Sequence, residues 1–218
     1  GGGAFFDGEV EGGVIDVVAY GEIEQNAHFS ADSDNSISME SETEAITMAD
    51  GVITSSTTGD VLYQADTNVG VSVVSSSNGG TIQVVAGGLV RDVTVAEDAN
   101  FRTSGMLNVT SGTGVGVIND GDIDTEVGTI DVLNAGASGD IVIEEVALGG
   151  DIEVDRLQQQ NAAGVGSIVF GTRDGTITIS ANQDGVSVAG SGHSRICAQD
   201  QDSPAQSYVV IRTEIESS

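Results

Sequence analysis

The sequence predicts an all-β protein, a parallel β-helix (β-solenoid) built of short strands and Gly-rich turns. Three observations carry this prediction. The apolar content is dominated by Val and Ile, which suit a pleated, half-buried surface. A Gly-containing turn followed by alternating apolar and polar residues recurs along the chain, the pattern of a strand with one buried face. The spacing of that unit drifts, yet the unit persists for more than half of the 218 residues.

Composition narrows the choice further. Hydrophobic residues make up 39% and aromatics 4%, with no Trp, 31 Gly and 1 Pro. Collagen would need a strict Gly triplet and abundant Pro, and a disordered chain would lack recurrent β-branched residues. The formal net charge is −28, from 34 acidic residues against 6 basic ones, all Arg. Nucleic acid and anionic membrane surfaces are therefore expected to be repelled. Like charge at this density opposes compaction, and salt or divalent cations relieve it. The single cysteine, Cys197, excludes a disulfide framework. No apolar run approaches the roughly 18 residues of a spanning helix. The opening Gly1-Gly2-Gly3 reads as a mature form or an excised segment.

Taken in order, the strand units begin in the N-terminal third with Val14-Ile15-Asp16-Val17-Val18 and Gly59-Asp60-Val61-Leu62-Tyr63. Between them the acidic stretch Asp32 to Glu44 alternates Ile37 and Met39 against Ser36, Ser38 and Glu40, which predicts an exposed strand. From Val71 the unit becomes frequent: Gly80-Thr-Ile-Gln-Val84, Gly105-Met-Leu-Asn-Val109 and Gly128-Thr-Ile-Asp-Val132. It continues as Gly139-Asp-Ile-Val-Ile143, Gly150-Asp-Ile-Glu-Val154, Gly166-Ser-Ile-Val-Phe170, Gly175-Thr-Ile-Thr-Ile179 and Gly185-Val-Ser-Val188. Ile130, Ile141 and Ile152 stand 11 apart, and Ile168, Ile177 and Val186 follow at gaps of 16, 9 and 9. The stretch Asp155 to Ala163 breaks the unit and predicts a loop or a single helical turn. Tyr208 to Ile215 is a last strand after Pro204.

Strands this short bury a core only when stacked, each with a neighbour about 4.8 Å above and below. With two or three strands per coil, a coil takes roughly 20–30 residues and the chain holds on the order of eight. Residues 1–70 are expected to be an irregular β region of the same solenoid, and 71–218 its coils. The alternative is an antiparallel β-sandwich filament subunit, with Gly1 to Phe6 donated as a strand to the next subunit.

The run from Gly79 to Gly190 resembles the β-helical repeats of large bacterial surface and secreted proteins, including filamentous-haemagglutinin-like adhesins and giant repetitive exoproteins. Gly-Asp-Ile-Val-Ile (139–143), Gly-Asp-Ile-Glu-Val (150–154), Gly-Thr-Ile-Thr-Ile (175–179) and Gly-Val-Ser-Val (185–188) carry the resemblance. It implies a parallel β-helix, export to the cell surface or extracellular space, and a role in adhesion or as a spacer. Such motifs report architecture and bring no catalytic residue.

The chemistry expected of the side chains is metal binding, not catalysis. Asn119-Asp120-Gly121-Asp122-Ile123-Asp124-Thr125-Glu126 places carboxylates at alternate positions. In an extended strand Asp120, Asp122, Asp124 and Glu126 share a face. Clustered carboxylates repel unless a cation intervenes, and hard oxygen ligands suit Ca²⁺, the expected cofactor. Asp32-Ser33-Asp34-Asn35-Ser36 opens like an EF-hand loop but has Ile37 and Thr43 where Gly and Glu are required. Ser191-Gly192-His193-Ser194 lacks the spacing of a nucleophile elbow. His193 and Cys197 share a face of a strand without the rest of a catalytic set. The chain is thus expected to be a non-catalytic structural or adhesive segment of an exported protein, stabilised by divalent cations. Its expected partners are copies of itself or a longer parent chain, with surface glycans or cell-surface proteins. A filament subunit joined by donor strands is the second reading. A polysaccharide-active β-helix enzyme, with Arg173 and Asp174 as the residues to replace, is the third.

Overall fold

A computed structural model describes residues 2–96, 98–118, 121–136, 138–147, 150–160, 166–180, 185–189, 193–198 and 209–211. All recorded ladders among them are parallel, and the chain winds as a β-solenoid of about 7 turns, close to the eight expected. The antiparallel sandwich is therefore excluded. Ala4–Phe6, the segment that alternative would donate to a neighbour, pairs in register with Ile23–Gln25 of its own chain. In a parallel sheet the partner of each strand must lie a crossover away in sequence. Here the crossover is the remainder of the coil.

Each early coil contributes three strands, one to each of three faces. The first face stacks Ile15–Ala19, Ile37–Ser41, Val61–Ala65 and Ile82–Ala86. It continues through the later parts of Phe101–Ser111 and Ile123–Asn134 to Ile152–Gln159. The second stacks Ala4–Phe6, Ile23–Gln25, Ile46–Met48, Val69–Val71 and Val90–Asp92. The third runs from Val10–Gly12 through Phe29–Ala31, Ile53–Ser56 and Val73–Ser76 to Phe101–Thr103. It goes on through Ile141–Glu145 and Ile168–Thr172 to Ser194–Ala198. The first 70 residues thus stack in the same columns as those that follow.

Alternation decides which side chains form the core. On the first face Ile15, Ile37, Val61, Ile82, Leu107, Ile130 and Val154 stand in one inward column, at intervals of 21 to 25 residues. Nearly all are fully buried and belong to one continuous core from Ile15 to Ala198. Each such side chain contributes about 1.5–3 kcal/mol on leaving water. The 11-residue spacing of Ile130, Ile141 and Ile152 is about half a coil. Ile141 bridges to Val115 at the second face, whereas Ile130 and Ile152 lie on the first. The same short motif serves different faces.

Three local expectations are corrected. The strand within Asp32 to Glu44, Ile37–Ser41, is not an exposed one, since Ile37 and Met39 are buried in the core. Asp155 to Gln159 is neither loop nor helical turn; it continues the strand Ile152–Gln159, and the pairing register shifts at Asp155 to absorb the extra residue. Asn161, Ala162 and Ala163 lie outside the described residues, as does most of the Tyr208–Ile215 strand, of which Val209–Ile211 pairs with Ile177–Ile179. Gly105 and Gly128 do not interrupt the strands as expected either; each lies inside a long strand, Phe101–Ser111 or Ile123–Asn134, at the corner where it passes from the third face to the first and the pairing register shifts. Their glycine follows from close stacking: a Cβ at Gly128 would stand 2.5 Å from the Ser104 carbonyl oxygen of the coil before it.

Candidate functional site

The acidic motif reaches the structure as part of a larger cluster on the third face. Ile123 and Thr125 point into the core, and Asp124 points outward, directly above Glu144 of the next coil. Asp122, Asp124 and Glu144 bring carboxylate oxygens within 4.8 Å of one another. Arg173, one coil further on, donates from Nε to Glu144 Oε2 at 2.9 Å. Its Nη2 lies 2.8 Å from the same oxygen and 3.9 Å from Asp124 Oδ1. Of the four expected ligands, the structure unites Asp122 and Asp124. Glu126 instead faces Arg102, its in-register neighbour, at 3.5 Å. Asp120 lies outside the described residues.

Burial raises the Asp122 carboxyl above its usual range; the charges of Glu144 and Asp92 push the same way, against its own backbone N–H and Arg173. Three carboxylates facing one guanidinium leave uncompensated negative charge, which suits a hard cation or a cationic group. Beside the cluster lies a groove of about 240 Å³, lined by Asp122, Val142, Glu144, Val169, Arg195 and Cys197 among others. Gly171, between Glu144 and Cys197 in the outward column, leaves the notch in its floor.

Sequence reasoning missed two residues here, Glu144 and Glu145, and named Arg173 only for the enzyme reading. Glu144 and Arg173 join the cluster only because coils stack, and nothing local in sequence pairs them with Asp124. Glu145 could have been found: Ile141, Ile143 and Glu145 alternate on one face, so the third must point into the core. It does, and it is 1% exposed. Its Oε2 accepts from Thr125 Oγ1 at 2.9 Å and the Val127 N–H at 3.2 Å, and its Oε1 accepts from the Ala147 N–H at 3.2 Å. Burial outweighs these bonds and pushes the carboxyl up to about 7, with the Glu126 charge adding to the rise.

The remaining candidates serve the backbone or the surface. His28 Nδ1 accepts the Ile53 N–H at 2.9 Å. His193 is exposed at the start of Ser194–Ala198, and Cys197, a free thiol, lines the groove opposite Glu144. No family model, curated protein or solved structure matches this chain.

Proposed function

We propose that the chain is a non-catalytic structural and adhesive rod, one segment of an exported surface or matrix protein. The observation that supports it best is the run of columns in which each coil's backbone is satisfied by the coils before and after it. Stability spread along such a stack suits a stiff spacer. Terminal rungs of a solenoid present strand edges that can accept another coil. The first coil also exposes Phe5, Val14, Val18 and Tyr20, apolar surface that a second copy would cover on association. Sedimentation across a concentration series tests this: association should appear in the wild type and weaken in V14S/V18S, and a monomer at all concentrations would count against end-to-end stacking. Aligned fibres should give a meridional spacing near 4.8 Å.

Divalent cations belong to the same proposal. Asp122, Asp124 and Glu144 would hold Ca²⁺ through carboxylate oxygens, in competition with Arg173 for Glu144. Calorimetric titration with Ca²⁺ should show binding that D122N and D124N each weaken at least about tenfold. Heat that is unchanged in both variants would remove the cation from the proposal.

A further inference from the structure

The corner joining the third face to the first is spanned by residues 32–36, 57–60 and 77–81 in three successive coils, and is then absorbed into Phe101–Ser111. The first and last of these corners each carry one asparagine, and the two are held differently. Asn35 donates from Nδ2 to Asp32 O at 2.8 Å, its own N–H reaches the same oxygen at 3.0 Å, and Ser36 follows it. Asn78 is exposed and tied only by its backbone, whose N–H donates to Thr57 O of the coil before at 2.7 Å. Among the described residues neither its carboxamide nor the next N–H, that of Gly79, has a hydrogen-bond partner. Gly79 is exposed too and takes a φ of 92°, which glycine adopts without strain. Asn78-Gly79 is the single Asn-Gly pair of the chain.

A free carboxamide next to a backbone nitrogen that no Cβ shields can close on that nitrogen. We propose that Asn78 is a site of spontaneous covalent modification, in which its carboxamide becomes a carboxylate by way of a cyclic imide. The Gly79 nitrogen gives up its proton and bonds to Asn78 Cγ, the Cγ–Nδ2 bond breaks, and ammonia leaves with that proton. Water then opens the ring. Cleavage of the new bond to Cγ leaves an ordinary aspartate. Cleavage of the original peptide bond leaves isoaspartate, whose main chain runs through Cβ and Cγ. Nothing is oxidised or reduced, and water is the only co-reactant. The structure confines the reaction to this position. Every other described asparagine precedes a residue with a side chain. Asn26, Asn35, Asn68, Asn100 and Asn134 also have their carboxamides hydrogen-bonded, and Asn108 is held inside Phe101–Ser111.

The products differ in what they do to the stack. Both put a negative charge into residues 67–90, a stretch that otherwise carries no charged side chain. Isoaspartate also lengthens the main chain, and it does so at a packed corner. Gly79 O lies so close to the next coil that a Cβ at Gly105 would stand 2.4 Å from it. Thr103 Oγ1 donates to Gly80 O at 2.7 Å. Toward the coil before, the Ser77 N–H donates to Ser56 O at 3.1 Å. An added atom between residues 78 and 79 pushes Gly79 and Gly80 off these contacts, because a close-packed corner has no room to absorb it. The modification therefore loosens the joint between the coils on either side as the protein ages. It needs no ligand or partner, so it stands or fails independently of the adhesive reading above.

The test ages the full chain in mildly alkaline buffer and maps it by mass spectrometry, with electron-transfer fragmentation to separate aspartate from isoaspartate. An unfolded peptide of residues 73–82 is the reference. Asn78 should gain about 1 Da, at a rate within about tenfold of the peptide's, and N78Q should show no gain there. In the aged protein hydrogen-exchange protection should fall around residues 79–86 and 103–109 and persist at 15–41. N78D, which carries the charge on an unlengthened chain, should keep most of its protection. The proposal is overturned if the folded chain modifies Asn78 more than about tenfold more slowly than the peptide, or if another asparagine gains the mass first. Loss of protection in N78D equal to that in the aged protein would overturn the part assigned to the lengthened chain.

Discussion

Residues 1–90 and 91–218 carry the same net charge and arrange it differently. The first part has 14 acidic residues and no Lys or Arg; the second has 20 acidic residues against 6 Arg, again a net −14. Their interiors differ in parallel. In the early coils the buried polar groups are neutral: Gln25 Nε2 donates to Thr54 Oγ1 at 2.8 Å, and the Tyr63 hydroxyl donates to Gln25 Oε1 at 2.8 Å. The Thr54 and Tyr63 hydroxyls are 2.6 Å apart, and burial raises the Tyr63 phenol well above its ordinary range. In the later coils carboxylates occupy inward positions, Asp92 in register with Val71 and Glu145 with Thr125. On the outside, Arg102, Arg156 and Arg173 each meet an acid of a neighbouring coil. One architecture thus tolerates both solutions, provided that every buried polar atom of the network finds a partner. Only the ionisable one places a group that titrates near neutral pH inside the core.

The largest effect should come from the column that both parts share. Phe29 and Phe101 occupy equivalent inward positions on the third face, and both are fully buried. F29A and F101A should each cost about 3–5 kcal/mol. Native-state hydrogen exchange should show the loss of protection confined to coils near each substitution. Uniform loss along the chain in both variants would mean one cooperative unit and would dissolve the contrast between the parts.

Next in size is the pH response of Glu145. Folded, this carboxyl keeps its proton up to about pH 7; unfolded, it releases it near the ordinary 4.5. Between those values the folded state binds more protons. Its contribution is therefore complete below pH 4.5 and is lost as pH rises through 7, by about 3 kcal/mol at 1.4 kcal/mol per unit. Exchange protection in residues 123–147 should fall between pH 5 and pH 8, and E145Q should flatten that slope while residues 15–86 change little. An equal slope in E145Q would assign the effect to general charge repulsion.

In the early coils Q25A should cost about 1–3 kcal/mol, because it deprives two buried hydroxyls of a partner. Urea denaturation should show a loss that does not depend on pH between 5 and 8. The smallest effect is expected at Arg156, whose Nε lies 2.6 Å from Asp131 with both side chains about one-fifth exposed. R156M should cost about 1 kcal/mol or less and lose even that at 1 M salt. A larger cost, insensitive to salt, would show that the arginine stem packs more than its charge pairs.

Alternation made much of this visible in advance. Ile141, Ile143, Ile152 and Val154 had to face a core, and strands of that length had to stack to make one. The same rule applied to Glu144 and Glu145 separates an outward from an inward carboxylate. What alternation could not show was distance across coils. Asp124 meets Glu144 and Arg173, and Glu126 meets Arg102, because backbone pairing places them on neighbouring rungs; coil lengths from 21 to 25 residues hide that register in sequence.

The amino-acid sequence by itself determined that the chain is built of strands and, for most of them, which side is buried, because these follow from a two-residue period and from β-branched side chains; the choice of a parallel stack over an antiparallel sandwich came from the pairing of the coils. Only the tertiary structure decided which charges neutralise one another, which carboxyl is held protonated near neutral pH, and where the surface opens into a groove. Those outcomes depend on contacts about one coil of chain apart, and on the low dielectric that exists only once the coils have closed over them.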